Sequence, residues 1–512
     1  MYLSICYDKC KSREGDAFFM KQELHEEKRL VGKGEIAAYS LAGGGQNFCY
    51  ALVTGYLMYY YINVFGIHPQ IVSIMLLLEG IWDIVNNPLA GFLIDRTRTK
   101  WGKMVPYLRT LSLPLAACTV LLFSGPLLLR AASPTAPSKV IFMFVSYFLW
   151  ELCYTITDVS YWGLSAAISP HPGDRRRVMT SMNVVINVCS AFPYLLVPFL
   201  MDYAASPGSR LSMSNVFFLF GMIGGVVGIG LFSLAGFFVK ERVEQSSNRP
   251  GLRESAAELL HNSALRSIVL SGLILSLSGI GYAFMNYYFI DVLGSASLSV
   301  LSQIPAAITW LFSYALLPVI KKRFNNRQFM LLCQCGFGAI WLFIYLIGIK
   351  YYTRPIVVVP AIMVGQFLFG LISSPCNIIL NEMMAEATDY SEWRTGKRNE
   401  GVGFSMKITT QKIGNTVIQS ISACLLSAIG YVTQEGNARV QQTEVVQRRI
   451  FTIYTLIPAV VYLLSAIPFF TYDLVGEKRE TMLRELKQRR AGRIEQPEEE
   501  DQGCFRDGEY EK

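Results

Sequence analysis

Three residues within one apolar run could do chemistry where chemistry is costly. The segment LLLEGIWDIVNNPLAGFLIDRTRTKWGK, Leu76 to Lys103, is long enough to cross a bilayer, yet it carries Glu79, Asp83 and Asn87. Spaced four apart, they share one face of a helix. A carboxylate at the bilayer centre costs about 3 kcal/mol on insertion scales and is kept mainly where it faces a cavity, an ion or a partner. The run ends in Asp95, Arg96, Arg98, Lys100 and Lys103, a charged turn that cannot lie in hydrocarbon. A polar stripe with a charged mouth suggests a path through a membrane. A buried polar face that only pins helices together is the alternative.

Three further stretches carry polar groups at depth. GGGQNFCYALVTGYLMYYY places Gln46 and Asn47 after a flexible glycine start, then an aromatic face at Tyr56, Tyr59 and Tyr60. Amides and rings suit a sugar, which needs paired donors and acceptors and a flat apolar surface. Tyr60 and Tyr61 also fit an interfacial belt. In WELCYTITDVSYWGL, Tyr154, Asp158 and Trp162 recur every four residues, with Thr155 and Glu151 close by. A carboxylate bracketed by aromatics can clamp hydroxyls while a ring stacks on a pyranose. Later, Lys407, Gln411 and Lys412 fall within an apolar run. A buried lysine requires a counter-ion, for which Asp83 and Asp158 are candidates. Lys407 can instead snorkel to the interface, and Lys412 lies deeper.

The elements that must position these groups are membrane spans. The chain of 512 residues is 52% hydrophobic and 16% charged, with mean hydropathy +0.34. Soluble proteins carry about 25% charged residues. Apolar runs near 36–62, 70–94, 104–129, 138–168, 178–202 and 215–239, then 266–292, 296–320, 328–349, 355–385, 401–432 and 449–473, each exceed the span length. We therefore expect an all-α polytopic membrane protein with twelve transmembrane helices in two six-helix bundles. The expected parts are an N-terminal tail (1–35), a first bundle (36–239), a central loop (240–265), a second bundle (266–475) and a charged tail (476–512). RESAAELLHNSALR, in the central loop, suits a short amphipathic helix on the membrane surface.

The net charge of +8 does not point to nucleic acid, because Lys and Arg sit in short clusters between apolar runs. Alternate loops carry Arg96/Arg98/Lys100/Lys103, Arg175/Arg176/Arg177, Lys240/Arg242/Arg249/Arg253, Lys321/Lys322/Arg323/Arg327 and Arg394/Lys397/Arg398, whereas those around His68 and Gly294 carry none. The positive-inside rule puts both termini in the cytoplasm, with the last outer loop, holding Arg439, Arg448 and Arg449, as an exception. The N-terminus lacks a signal-peptide core, and Met20 competes with Met1 as the start. The 11 cysteines show no metal spacing and mostly fall in apolar segments, as small core residues. With four histidines and no Ser/His/Asp set, an enzyme is the least expected reading.

Three segments carry a resemblance: WDIVNNPLAGFLIDRTRTKWGKMVPYLR (82–109), YTITDVSYWGL (154–164) and MMAEATDYSEWRTGKRNEGVGFSMKITTQKIG (383–414). The last joins an acidic DY-x-EW turn to TG-x-R-x-EG. They resemble the signatures of the glycoside–pentoside–hexuronide:cation symporters, the melibiose-permease branch of the major facilitator superfamily. The resemblance implies a two-bundle transporter that alternates access around a central site. It implies that Asp83 and Asn87 stand at two carboxylate positions of a cation site, which Thr155 and Lys412 complete; with Asn87 neutral, a displaced site using Glu79 one turn away is an alternative to proton coupling through Asp83. It further implies substrate contacts at Gln46, Asn47, Tyr154, Asp158, Trp162 and, counted without gaps from Asp158, Asn183. Asp95, Arg96, Arg98 and Lys103 with Asp389, Glu392 and Arg398 are expected at a cytoplasmic gate. Asn87, Asn47 and Asn183 each replace a charge of the family pattern. The expectation is thus a carrier of a glycoside or related sugar in a cell membrane, monomeric among lipids, without cofactor, and coupled to H+ in preference to Na+. Uncoupled diffusion, a lysolipid carrier and a transport-dead sensor remain as alternatives.

Overall fold

Glycine decides how close the first helix lies to its neighbours. The structure is a computed structural model and describes residues 30–129, 133–243, 262–395, 414, 417–433 and 441–494. The N-terminal helix, α1 (Lys33–Tyr59), runs straight through Gly43, Gly44 and Gly45. The sequence suggests a flexible start here, but these glycines are a packing surface. A Cβ on Gly45 would fall inside the van der Waals radius of the Gly228 carbonyl oxygen, and one on Gly43 would strike the Tyr161 hydroxyl. Small residues let membrane helices approach closely, where the main gain is van der Waals packing. Gly45→Ala should therefore cost about 1–3 kcal/mol as an overpacking change. Thermal unfolding in detergent checks this, and an unchanged midpoint would show that α1 can move away.

The chain divides into two compact units, Met1–Ile67 with Trp82–Ser247 and His68–Ile81 with Asn248–Lys512. Beyond α1, the helices of the first unit are α2 (Pro69–Arg96, whose first half belongs to the second unit), α3 (Val105–Thr110), α4 (Ser112–Leu122), α5 (Gly125–Leu128), α6 (Pro137–Ala167), α7 (Pro172–Ala205), α8 (Met213–Met222) and α9 (Ile229–Phe238). The second unit holds α10 (Ser263–Ser276), α11 (Gly279–Tyr287), α12 (Ser297–Ser313), α13 (Leu317–Arg323), α14 (Asn326–Tyr351), α15 (Pro355–Thr395), α16 (Val417–Ala428), α17 (Glu444–Ser465) and α18 (Gly476–Ile494).

Nine helices among the described residues are long and apolar enough to cross a membrane. Three further places fit the twelve-helix pattern. α1 continues through a π-helical turn, Tyr60–Val64, and is made less apolar by its glycines and amides. The third span is broken into α3, α4 and α5, because Pro114 has no N–H to donate to the Thr110 carbonyl. α16 is the described part of the eleventh.

Four tyrosines correct the expectation of an exposed face or belt. Tyr56, Tyr59, Tyr60 and Tyr61 are at most 3% exposed. The Tyr60 ring packs on Phe123 at 5.1 Å and Phe217 at 5.5 Å between centroids. Neighbouring phenylalanines draw these rings into the core of the first unit, where aromatic pairs favour tilted and edge-on contacts.

In the second unit α15 runs for 41 residues, past the expected end near 385. The acidic DY-x-EW stretch is therefore helix rather than a turn. Nothing between Pro375 and Thr395 breaks it, and the next glycine is Gly396. Docking of α18 fixes its end. Met482 and Leu486 are buried, Arg479 Nε donates to Glu386 Oε1 at 2.9 Å, and Trp393 Nε1 donates to Glu485 at 2.7 Å. Glu386 holds the Arg479 guanidinium above its usual range through that bond. The central-loop segment 244–261, with most of RESAAELLHNSALR, and residues 1–29 and 495–512 of the tails lie outside the described residues.

Candidate functional site

The site in the first unit is built by two helices locked in antiparallel register. Tyr39 of α1 and Tyr161 of α6 stack at 4.5 Å. Each hydroxyl donates to the other residue's carbonyl, Tyr39 Oη to Tyr161 O at 2.7 Å and Tyr161 Oη to Tyr39 O at 3.0 Å. From that fixed point α1 climbs two turns to Gln46 while α6 descends one turn to Asp158. Gln46 Nε2 donates to Asp158 Oδ1 at 2.7 Å, and Trp162 Nε1 donates to the same oxygen at 3.1 Å. Farther along, Tyr50 of α1 stacks on Tyr154 of α6 at 5.6 Å.

Burial separates the roles of these residues. Gln46 is fully buried, and its Oε1 has no hydrogen-bond partner among the described residues. Asp158 is half-buried. Trp162 is 41% exposed, so its ring offers a face while its N–H is committed to the carboxylate. Tyr154 lies deeper than a contact residue should, being 9% exposed and sandwiched between Tyr50 and Trp150, the latter at 4.7 Å. Trp150 Nε1 in turn donates to Thr119 Oγ1 at 3.1 Å. Tyr154 therefore supports the helix face that carries Asp158.

Asn47 and Asn183 present less than their positions suggested. Asn47 Nδ2 donates to the Gly43 carbonyl at 2.9 Å, and Asn183 Nδ2 to Met179 O at 2.8 Å. Each amide nitrogen is thus spent on its own helix. Asn183 stands exposed on α7.

The stripe on α2 is organised by an amide. Asn87 Nδ2 donates to the carboxylate Oδ1 of Asp83 and, at 2.7 Å, to the Asp83 carbonyl. Both residues are half-buried, as is Glu79 one turn earlier. Thr155 takes a different partner from the one expected: its Oγ1 donates to Glu151 Oε1 at 2.9 Å. Glu151 is 7% exposed, a buried acid that sequence reading noted beside Thr155 but did not place in the site. α2 and α6 meet at Trp82 and Phe148, whose rings lie 5.0 Å apart. Asn86 was passed over; it is the buried member of the Asn86–Asn87 pair, and its Nδ2 has no hydrogen-bond partner among the described residues. The doubled asparagine was the available signal. Lys412 lies outside the described residues, as do Lys407 and Gln411.

At the charged mouth, Asp95, Arg96 and Arg98 are exposed, and the Arg96 guanidinium lies 4.4 Å from the Phe92 ring centre. The chain then turns through Gly102 at φ +103°. The Glu241 carboxylate receives the backbone N–H groups of Lys103 at 2.5 Å and Met104 at 2.7 Å. A side chain at Gly102 would need a rarely allowed φ and would collide with Glu241. In the second unit Asp389 is half-buried and Glu392 buried on the last turns of α15, while Arg398 lies outside the described residues. Among the described residues, no group of three or more His, Cys, Asp and Glu side chains is arranged to hold a metal.

The chain is similar to known proteins. A family described as MFS/sugar transport protein matches residues 38–476. The isoprimeverose transporter of Lactiplantibacillus pentosus is 27% identical over 91% of this chain and 93% of its own length. A glucuronide carrier protein homolog of Escherichia coli K12 is 24% identical over 89% of this chain and 95% of its own. Among solved structures, a point mutant of the nucleoside transporter NupG superposes with a TM-score of 0.58 at 11% identity, covering 86% of this chain and 99% of that one. That likeness is one of fold.

Proposed function

Because this chain belongs to the MFS/sugar transport protein family, in its glycoside–pentoside–hexuronide:cation symporter branch, it is a transporter and not an enzyme, and we propose that it carries a neutral sugar or glycoside in symport with a proton. Alternating access moves the site from one side to the other, with the substrate biasing the states through its unequal affinity for them. The observation that carries this reading is the Gln46–Asp158–Trp162 cluster. Two N–H donors on one oxygen orient the Asp158 carboxylate, which can accept a substrate hydroxyl in a charge-assisted bond. Fully buried Gln46 holds the carboxylate in place, and the Trp162 face can pack against ring C–H groups.

Charge favours a neutral cargo. The cluster holds one carboxylate, while Asn47 and Asn183 are amides. A uronate would bring a second negative charge close to Asp158, and like charges at short range repel strongly in a medium drier than water. For the coupling ion, Asn87 adds no charge to Asp83. One acid is enough to carry a proton, whereas a bare sodium ion needs several oxygens in place of its hydration shell. Loop charge supports a cytoplasmic membrane with both termini inside, and a monomer suffices for one pathway.

Uptake into proteoliposomes from a panel of labelled glycosides, pentosides and uronides, with and without ion gradients, tests this. Neutral glycosides should exceed uronides by at least about tenfold, in line with the cost of one repulsive charge pair. A flat response across the panel would defeat the proposal. Trp162→Phe keeps a ring but removes the N–H donor, and should raise the half-saturation concentration about tenfold at unchanged expression. Equal affinity would confine Trp162 to packing.

A further inference from the structure

A second concavity lies away from the sugar cluster, near the starts of α1 and α7. It is an open groove of about 520 Å³, lined by Lys33, Ile36 and Ala37 of α1 and by Arg176, Arg177, Thr180 and Ser181 of α7. The lining Ser181 Oγ accepts a hydrogen bond from the Ser40 hydroxyl at 2.9 Å. Lys33 and Ser40 are about two helical turns or 10 Å apart, and Gln46 lies about 9 Å farther along the helix.

Three cations meet here, and the nearby acids are already committed. Glu35 faces the other way and holds Arg242, whose Nη1 and Nη2 donate to its two oxygens at 2.7 and 2.8 Å. Asp174 is 5% exposed. Its Oδ2 accepts from the backbone N–H of Leu30 at 3.1 Å and of Val31 at 3.4 Å, and from the Ser169 hydroxyl at 3.4 Å. Its Oδ1 lies 3.9 Å from Arg177, the outer limit of an ion pair. Lys33 and Arg176 have no ion pair among the described residues. The groove therefore keeps at least two positive charges beside two hydroxyl groups.

We propose that this groove binds a phosphate group. A tetrahedral anion matches the lining, with guanidinium and ammonium donors on its oxygens and the Thr180 hydroxyl as a further donor. Basic pockets between membrane helices at headgroup depth take up anionic lipid headgroups. A soluble phosphate ester would offer the same chemistry, so the two sources must be separated.

The full-length protein is released from nanodiscs of phosphatidylglycerol or phosphatidylcholine, and retained lipid is counted by native mass spectrometry. In a second arm, inorganic phosphate is titrated into lipid-free detergent solution against chloride of equal ionic strength, with thermal stability as the readout. Each cation near an anionic surface contributes roughly fivefold in affinity. Lys33→Gln or Arg176→Gln should thus lower retention about fivefold and the pair roughly thirtyfold, while Lys322→Gln leaves it unchanged. The charge-keeping pair Lys33→Arg and Arg176→Lys should retain binding, which separates loss of charge from loss of fold. Retained phosphatidylglycerol lost in the neutral pair identifies a lipid headgroup. Stabilisation by inorganic phosphate lost in the neutral pair identifies a soluble ester. If neither probe distinguishes the wild type from the neutral pair, or if the charge-keeping pair fails equally, the groove is not a phosphate site.

Discussion

Asp158→Asn should lower uptake of the cognate sugar by at least about a hundredfold while the protein still folds and inserts. The expectation follows from where the charge sits. Asp158 Oδ1 takes two donors, Gln46 Nε2 at 2.7 Å and Trp162 Nε1 at 3.1 Å. An asparagine can satisfy those donors with its carbonyl oxygen, so the α1–α6 contact survives. Its other arm becomes an NH2 group, which turns a carboxylate acceptor into a donor. A substrate hydroxyl that donated to a carboxylate would then face an N–H. Hydrogen bonds to a charged group contribute about 1.5–3 kcal/mol, and leaving a buried donor unmatched adds to the loss. Together these exceed the roughly 2.7 kcal/mol that a hundredfold change requires. The Tyr39–Tyr161 pair holds the helices together independently of the site, so thermal unfolding should shift little. The measurements are substrate binding by calorimetry and uptake by proteoliposomes. Normal binding by the variant would make Asp158 a structural residue and remove the centre of the proposed site.

Much of that centre was legible in the sequence because helical spacing alone determines which residues share a face. Tyr154, Asp158 and Trp162 sit four apart, and their helix does carry Asp158 and Trp162 together. Spacing does not say which member of a face turns inward. Tyr154 is captured between Tyr50 and Trp150, a consequence of how α6 meets α1. The three glycines illustrate the same limit. Alone, Gly43–Gly45 read as a loose start, because glycine raises backbone freedom. Only the presence of Tyr161 and the Gly228 carbonyl turns them into a contact surface. Likewise Thr155 could pair with any acid within reach, and the structure gives it Glu151, on its own helix. The acidic stretch Asp389–Trp393 read as a turn from its polarity. It is helix, with the buried Glu386 bound by Arg479 from α18, a contact 93 residues away that no local pattern reveals.

Asn87→Asp should create sodium-stimulated uptake, at least about tenfold above the sodium-free rate, in a carrier that is otherwise insensitive to sodium. At present Asn87 points its Nδ2 donor at the Asp83 carboxylate. A donor occupies the place where a cation would need an oxygen, and it repels a cation that approaches the same carboxylate. Aspartate reverses both effects, since it offers two further acceptor oxygens and brings a second negative charge one helical turn away. Like charges at this spacing destabilise each other. The pair relieves that repulsion by binding a cation or, at low pH, by sharing a proton. The count of charge is also decisive. With Asn87 neutral, Asp83 and Asn87 together carry one negative charge, whereas Asn87→Asp makes it two. A hard cation gives up its water only for charge or for several oxygens. Uptake with and without a sodium gradient, at fixed pH and with the proton gradient collapsed, measures the change. The variant's stimulation should saturate with sodium and fall as pH drops, because protons compete for the same two carboxylates. Strong, saturable sodium dependence in the unmodified protein would overturn this account. It would shift attention to Glu79, one turn before Asp83, as the source of the missing oxygens.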